Sequence, residues 1–234
     1  MKKEDFEKDL MPPELVLKLT RDIPSNNYKE KLSLLHEHFE KLKASNLYHA
    51  EVLELKKDEQ IAFIYWDASQ FEESAFYYEK ILNSLTPELA PNSYSMATFM
   101  VIRSYRLNRN YSASALWAEK ILDKPELLSS FSKLDALSEY VDLINETLSE
   151  FNRNYVSIIL QIITELGFPV EYKDNPVESI AKIKELNRKW NLKMPTRRLP
   201  DSERKKSWEE YINECEVGWY KNYAKERLDE MINE

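Results

Sequence analysis

Apolar residues recur every three or four positions along most of this chain, and polar residues fill the positions between them. Tyr28, Leu32, Leu35, Phe39 and Leu42 form one such stripe. The period predicts amphipathic helices, because residues at this spacing lie on one face of a helix. Single helices are predicted at 14–23, from about 26 and from about 47. Paired helices are predicted at 55–68 with 71–85, at 95–107 with 111–122 and at 131–151 with 155–166. A further helix is predicted after Asn175-Pro176, then a loop at 191–200 and a long last helix that starts at Asp201 or Ser202 and includes Gly218.

Part of this pattern repeats along the chain. The stretch 65–71 corresponds to 105–111, an offset of 40 residues, and Asn-Arg-Asn-Tyr at 108–111 recurs letter for letter at 152–155, a further 44 residues on. Periods of this length are typical of stacked supersecondary units. The sequence therefore predicts that Phe71, Tyr111 and Tyr155 each mark the bend of an antiparallel helix pair.

The paired segments resemble the tetratricopeptide repeat, which places Leu-Gly-x-x-Tyr in its first helix, Ala-x-x-x-Phe in its second, and then a proline. Ala62 and Ile102 occupy the glycine position here, and Ser74 and Ser114 occupy the alanine position. The resemblance implies an all-α fold of stacked antiparallel hairpins, a tetratricopeptide-like α-solenoid with capping helices at both ends. It divides the chain into N-terminal helices at 1–54, repeats at 55–169 and a C-terminal helical pair with a basic loop at 170–234. A non-repetitive helical bundle is the alternative.

In the family that the chain resembles, one face of the first helices lines a concave surface that binds partners. Aromatic side chains beside arginines have the composition of a binding hot spot, and arginine is a bidentate donor to carboxylates. The alternative is that the N-terminal helices fold back and bury these aromatics as core. The candidate partner-binding residues are Lys56, Phe63, Trp66, Phe99, Arg103 and Arg106.

The composition argues against several classes of function. The chain has two glycines in 234 residues, whereas phosphate-binding loops and nucleophile elbows need several close together. The formal net charge is −8, which disfavours nonspecific binding to nucleic acid or anionic lipid. One cysteine excludes an intramolecular disulfide. With no secretory signal and no long apolar run, the expectation is a cytoplasmic protein that is not an enzyme, has no cofactor and does not enter a membrane.

One segment departs from the acidic average. Residues 182–206 contain ten basic side chains and three acidic ones, so Arg188, Arg197 and Arg198 are candidates for binding an anion. The alternative is that this segment complements the acidic body of the protein.

The histidines and the cysteine offer little chemistry. His36 and His38 point to different faces of a helix, unlike a zinc pair at i, i+4. Cys215 falls on an apolar stripe and is expected to be a buried thiol.

The expected function is therefore that of a protein-interaction module or scaffold that holds a partner polypeptide of unknown identity. A second hypothesis is a small cytoplasmic immunity or antitoxin protein that blocks a basic toxin. A weaker third hypothesis is an RNA-associated adaptor that uses residues 182–206.

Overall fold

The computed structural model describes residues 3–6, 8–195 and 200–233. All regular secondary structure in these residues is helical, which confirms the predicted all-α class. Among them, none of the helices has both the length and the apolar composition that crossing a membrane requires. The helices are α1 Lys3–Phe6, α2 Pro13–Leu17, α3 Tyr28–Ala44, α4 Ala50–Asp67, α5 Phe71–Ser84, α6 Pro91–Leu107, α7 Tyr111–Leu122, α8 Ser130–Thr147, α9 Val156–Leu166, α10 Pro176–Lys193, α11 Asp201–Glu214 and α12 Gly218–Asn233.

The chain forms two compact units, Met1–Ser132 and Lys133–Glu234. The division falls within α8, and the three-part division suggested by the repeats stays a prediction. In the first unit α3, α4, α5, α6 and α7 pack in chain order, each against the next. In the second unit α9 packs against α10 and α12, and α11 packs against α12.

The first two predicted hairpins have the same turn geometry. Two residues after each first helix ends, the chain has a residue with left-handed backbone: Ser69 at φ 58° and Arg109 at φ 60°. In both hairpins the amide of the following residue closes the turn with a backbone hydrogen bond. Gln70 N donates to Tyr65 O at 2.8 Å, and Asn110 N donates to Tyr105 O at 2.9 Å. Phe71 and Tyr111 then begin the second helices. The two bends lie where the sequence predicts them.

A buried serine joins the two helices of each of these hairpins. Ser74 Oγ donates to the carbonyl oxygen of Ala62, and Ser114 Oγ donates to that of Ile102, both at 3.0 Å. All four residues are inaccessible to solvent. Because a hydroxymethyl group is small, each second helix lies close to the backbone of the first.

The third pair, α8 and α9, is antiparallel but turns differently. Lys133 Nζ donates to Gln161 Oε1 at 3.0 Å far from the turn, and Tyr140 contacts Tyr155 near it, with ring centroids 5.4 Å apart. The left-handed residue here is Leu148, at φ 54°. The repeated Asn-Arg-Asn-Tyr lies beyond it, in a single 3₁₀ turn at Arg153–Tyr155. Identical letters therefore adopt different conformations in the second and third pairs.

The N-terminal helices are held against α4. Leu10, Met11, Leu35 and Phe39 form a buried cluster with residues of α4. The ammonium group of Lys31 lies 2.8 Å from a carboxylate oxygen of Asp67. The helix predicted at 14–23 is split into α2 and a π-helical turn at Lys18–Asp22.

The prediction of one long last helix is wrong. The chain leaves the helical conformation at Cys215, and α12 starts at Gly218. The reason is a backbone contact between the two glycines of the chain: Gly218 N donates to Gly167 O at 2.9 Å. A Cβ atom on Gly167 would lie 3.0 Å from Gly218 Cα. Gly218 is therefore a point of close backbone packing.

The bounds of α10 differ from the prediction at one end only. Asn175 caps its first turn as expected, accepting a hydrogen bond from Glu178 N at 3.2 Å. The helix continues to Lys193, through the first three residues of the predicted loop.

We predict that Ser114→Leu destabilises the first unit by about 1 to 3 kcal/mol, because added methylenes must enter a filled contact between α6 and α7. The free energy of unfolding from urea titration measures the loss. Ser112→Leu is the control, since Ser112 lies on the same helix and is exposed. Equal stability of the two variants would contradict the close approach at Ser114.

Candidate partner-binding site

The candidate residues on α4 include a stacked aromatic pair. The rings of Phe63 and Trp66 have centroids 6.4 Å apart and an interplanar angle of 27°. Phe63 is 40% exposed and Trp66 is half-buried. The indole nitrogen of Trp66 is buried without an acceptor among the described residues. The N-terminal helices pack on Leu53, Ile61 and Ile64 of this helix, so Phe63 stays at the surface.

The candidate residues on α6 form a cation–π pair and one buried arginine. The guanidinium carbon of Arg103 lies 5.4 Å from the centroid of the Phe99 ring, and both residues are half-buried. Arg106 is only 9% exposed, so most of its side chain is withdrawn from solvent. The structure thus places Phe99 and Arg103 together at a partly open surface and buries most of Arg106.

Polar contacts connect α4 to α6 on this side of the first unit. Ser93 Oγ donates to the carboxylate of Glu59, 3.2 Å from each oxygen. Between these helices Tyr78 of α5 is completely buried. Burial raises the pKa of the Tyr78 hydroxyl, Glu59 raises it further and Arg103 opposes the shift. Glu59, Tyr78 and Arg103 therefore belong to one electrostatic neighbourhood.

A cavity of about 570 Å³ adjoins the same face of α4 at its N-terminal end. Lys56 and Glu59 line it, and the ammonium of Lys56 is 3.9 Å from the Glu59 carboxylate. The N-terminal segment forms the opposite wall. The sequence did not predict this wall, since its anchors Phe6 and Leu10 do not share a helix: α1 ends at Phe6.

One ion pair inside the first hairpin has a carboxylate that is strongly shielded from water. Asp58 is 1% exposed, and Lys80 Nζ lies 2.7 Å from its Oδ2. Burial raises the pKa of Asp58, and Lys80 only partly opposes that shift. The ammonium of Lys80 therefore stabilises the charged form of this carboxylate against the cost of burial.

Lysines of the basic segment pair with carboxylates of the second unit. Lys184 Nζ is 3.0 Å from an oxygen of Asp142, Lys189 Nζ 2.9 Å from Glu216 and Lys193 Nζ 3.1 Å from Glu214. These pairs favour the interpretation in which the segment complements the protein's own acidic residues. Arg188 is exposed on α10, and Arg197 and Arg198 lie outside the described residues.

His38 and Cys215 make structural contacts. His38 Nε2 lies 2.7 Å from the carbonyl oxygen of Leu10, and His36 is exposed. Cys215 is a free, buried thiol whose pKa is raised by burial. In the described part of the chain, no group of three histidine, cysteine or carboxylate side chains is arranged to hold a metal ion.

Comparison with protein-family models, with curated proteins and with solved structures finds no match to this chain.

We predict that Lys80→Ala destabilises the protein by about 1 to 3 kcal/mol at pH 7.5, because a buried carboxylate loses its counter-ion. Without the ammonium the native pKa of Asp58 rises further above that of the unfolded chain. Since the native state then binds the proton more tightly, the deficit shrinks as pH falls towards about 4. Urea titrations at pH 7.5 and pH 4.5 measure both values.

Lys182→Ala is the control for this experiment. Lys182 pairs with Glu178 on the exposed face of α10, so its loss should change stability little at either pH. An equal deficit of Lys80→Ala at both pH values would contradict the coupling between Lys80 and the protonation of Asp58.

Proposed function

We propose that this protein binds a partner polypeptide on the face of α4 and α6 that carries Phe63, Trp66, Phe99 and Arg103, and that it performs no catalysis itself. The proposed architecture is a short, tetratricopeptide-like stack of hairpins. The observation that carries the proposal is the repeated geometry of the first two hairpins, in which the left-handed residue, the closing amide and the buried serine coincide.

The repetition supports a binding role because it presents corresponding surfaces side by side. In each hairpin the first helix packs against the second through one face and leaves another face uncovered. In α4 and α6 these partly exposed faces hold the Phe63–Trp66 stack and the Phe99–Arg103 cation–π pair, and Ser93 connects the two helices through Glu59. A surface repeated in this way suits an extended segment that crosses several helices.

The composition of the surface supports binding by apolar contact. A stacked Phe-Trp pair supplies rigid area that loses little conformational entropy when it is covered. Arg103 is already oriented over Phe99, so its guanidinium is partly pre-organised for a carboxylate or an aromatic ring. Hot spots are enriched in tryptophan and arginine. Arg106 is assigned a supporting role, because it is buried.

We predict that Trp66→Ala with Arg103→Ala weakens partner binding more than about tenfold, since truncating a hot-spot side chain costs about 2 kcal/mol or more. Affinity purification of the intact chain identifies the partner, and titration against purified variants measures the dissociation constants. Circular dichroism confirms that each variant is folded.

The control is Phe76→Ala with Arg153→Ala, which removes an exposed aromatic and an exposed arginine elsewhere. Unchanged affinity of the Trp66/Arg103 variant would remove this surface from consideration. Binding that survives both pairs of substitutions but collapses with added salt would instead indicate a charge-driven inhibitor of a basic protein.

A further inference from the structure

The N-terminal segment inserts an aromatic anchor between three helices. Phe6 is 6% exposed. Its ring adjoins a small space lined by Leu55 and Glu59 of α4, Ile81 of α5 and Ser93 of α6, together with Lys56 and Leu85. The residues around it are apolar or paired with one another, because Glu59 accepts from Ser93 and lies beside Lys56. This is a pocket suited to an aromatic side chain.

Two aliphatic anchors follow Phe6 at four and five positions. Leu10 is 6% exposed and Met11 is 9% exposed. Both belong to the buried cluster that contains Leu35, Phe39 and residues of α4. Residues 3–6 and 8–11 therefore lie on the body of the first unit in the manner of a bound peptide; Glu7 is outside the described residues.

The segment has little structure of its own to hold it in place. Its helix, α1, is a single turn of four residues, and helices this short are not stable in isolation. Its polar contacts to the rest of the unit include Leu10 O to His38 Nε2 at 2.7 Å and Asp5 to His49 at 3.8 Å. The cavity of about 570 Å³ lies between the segment and the face of α4, so the segment does not fill the groove that it covers.

We propose that the surface beneath this segment, formed by α3, α4, α5 and α6, is a docking site for a short partner segment with an aromatic residue followed four and five positions later by aliphatic ones. The chain's own residues 3–6 and 8–11 hold the site closed until such a segment displaces them. The inference rests on the proposed function in that the occupant is a polypeptide. It adds the partner's anchor pattern and a mechanism of access.

The chain connectivity favours a different protein over a second copy as the occupant. Only Pro12 separates Met11 from α2, and prolines at 12 and 13 restrict the backbone. Leu15 and Leu19, just beyond, pack in the same cluster as Leu10. The segment is thus tethered too closely to its own groove to reach the groove of another molecule.

The test uses a labelled synthetic peptide with the sequence of residues 1–12 and the full chain carrying Phe6→Asp with Leu10→Asp. The two carboxylates cannot remain in apolar sites, so the site opens. Fluorescence anisotropy should show saturable binding that is at least about tenfold tighter than for the wild-type chain, in which the site is occupied. A peptide with Phe6→Ala should bind at least about tenfold more weakly, because burying a phenylalanine side chain contributes enough for that factor.

Phe76→Asp with Leu116→Asp is the matched control chain, since both residues are exposed on α5 and α7. It should bind the peptide no better than the wild type. Hydrogen exchange of the wild-type chain is an independent measurement: amides of residues 3–11 should exchange faster than those of α4, α5 and α6. Exchange of all four regions at one common rate would overturn the proposal, because the segment could not then open separately.

Three binding outcomes would also overturn it: no binding to the folded Phe6/Leu10 variant, equal binding to the wild type, or equal binding of the Phe6→Ala peptide. A wild-type dimer in sedimentation that the Phe6/Leu10 variant loses would assign the site to a second copy. The Trp66/Arg103 variant, combined with Phe6→Asp and Leu10→Asp, should bind the peptide normally. Failure of the function proposed for Phe63, Trp66, Phe99 and Arg103 is thereby distinguishable from failure of this inference.

Discussion

The close approach of paired helices at Ser74 and Ser114 is the constraint on which the first unit depends. Each serine is completely buried and donates to a carbonyl of the preceding helix. A larger side chain there would separate the helices and disturb the turn. The turns themselves carry a conformational cost, because a non-glycine residue with left-handed backbone is disfavoured by about 1 to 2 kcal/mol. The hairpin packing offsets that cost at Ser69 and Arg109, so the short turns and the buried serines are mutually dependent.

This packing also decides which residues of α4 and α6 reach the surface. Ile61, Ala62 and Ile64 are committed to the interior, and the geometry of a helix then directs Phe63 outward. On α6 the interior takes Val101, Ile102 and Ser104, which leaves Phe99 and Arg103 half-exposed. The candidate surface is thus a consequence of the core pattern. Substitutions that move the helices relative to each other would change binding without touching any contact residue.

Local pattern predicts most of the helices because each stripe of apolar residues lies within one helix. It predicts less well where a distant contact intervenes. In the second pair, Asn-Arg-Asn-Tyr forms the bend between the two helices, at Arg109. In the third pair, α8 already ends at Thr147, before the motif begins and soon after its last buried residues, Leu143 and Ile144. The break at Gly218 depends on Gly167, 51 positions earlier in the chain. Likewise the burial of Arg106 and the docking of Phe6 arise from tertiary packing. The aromatic residues of the site could be named from the sequence, whereas their exposure could not.

The face of α4 differs in chemistry along its length, and this difference bears on specificity. At its N-terminal end Lys56 and Glu59 lie beside each other and Glu59 accepts from Ser93, so charge is largely internally compensated there. Two turns further on the face is aromatic, with Phe63 stacked on Trp66. Neither end offers a strong unbalanced charge, and discrimination between partner segments would therefore depend on the shape and spacing of apolar anchors. The net charge of −8 acts over longer distances, where it affects the rate of encounter more than the choice of partner.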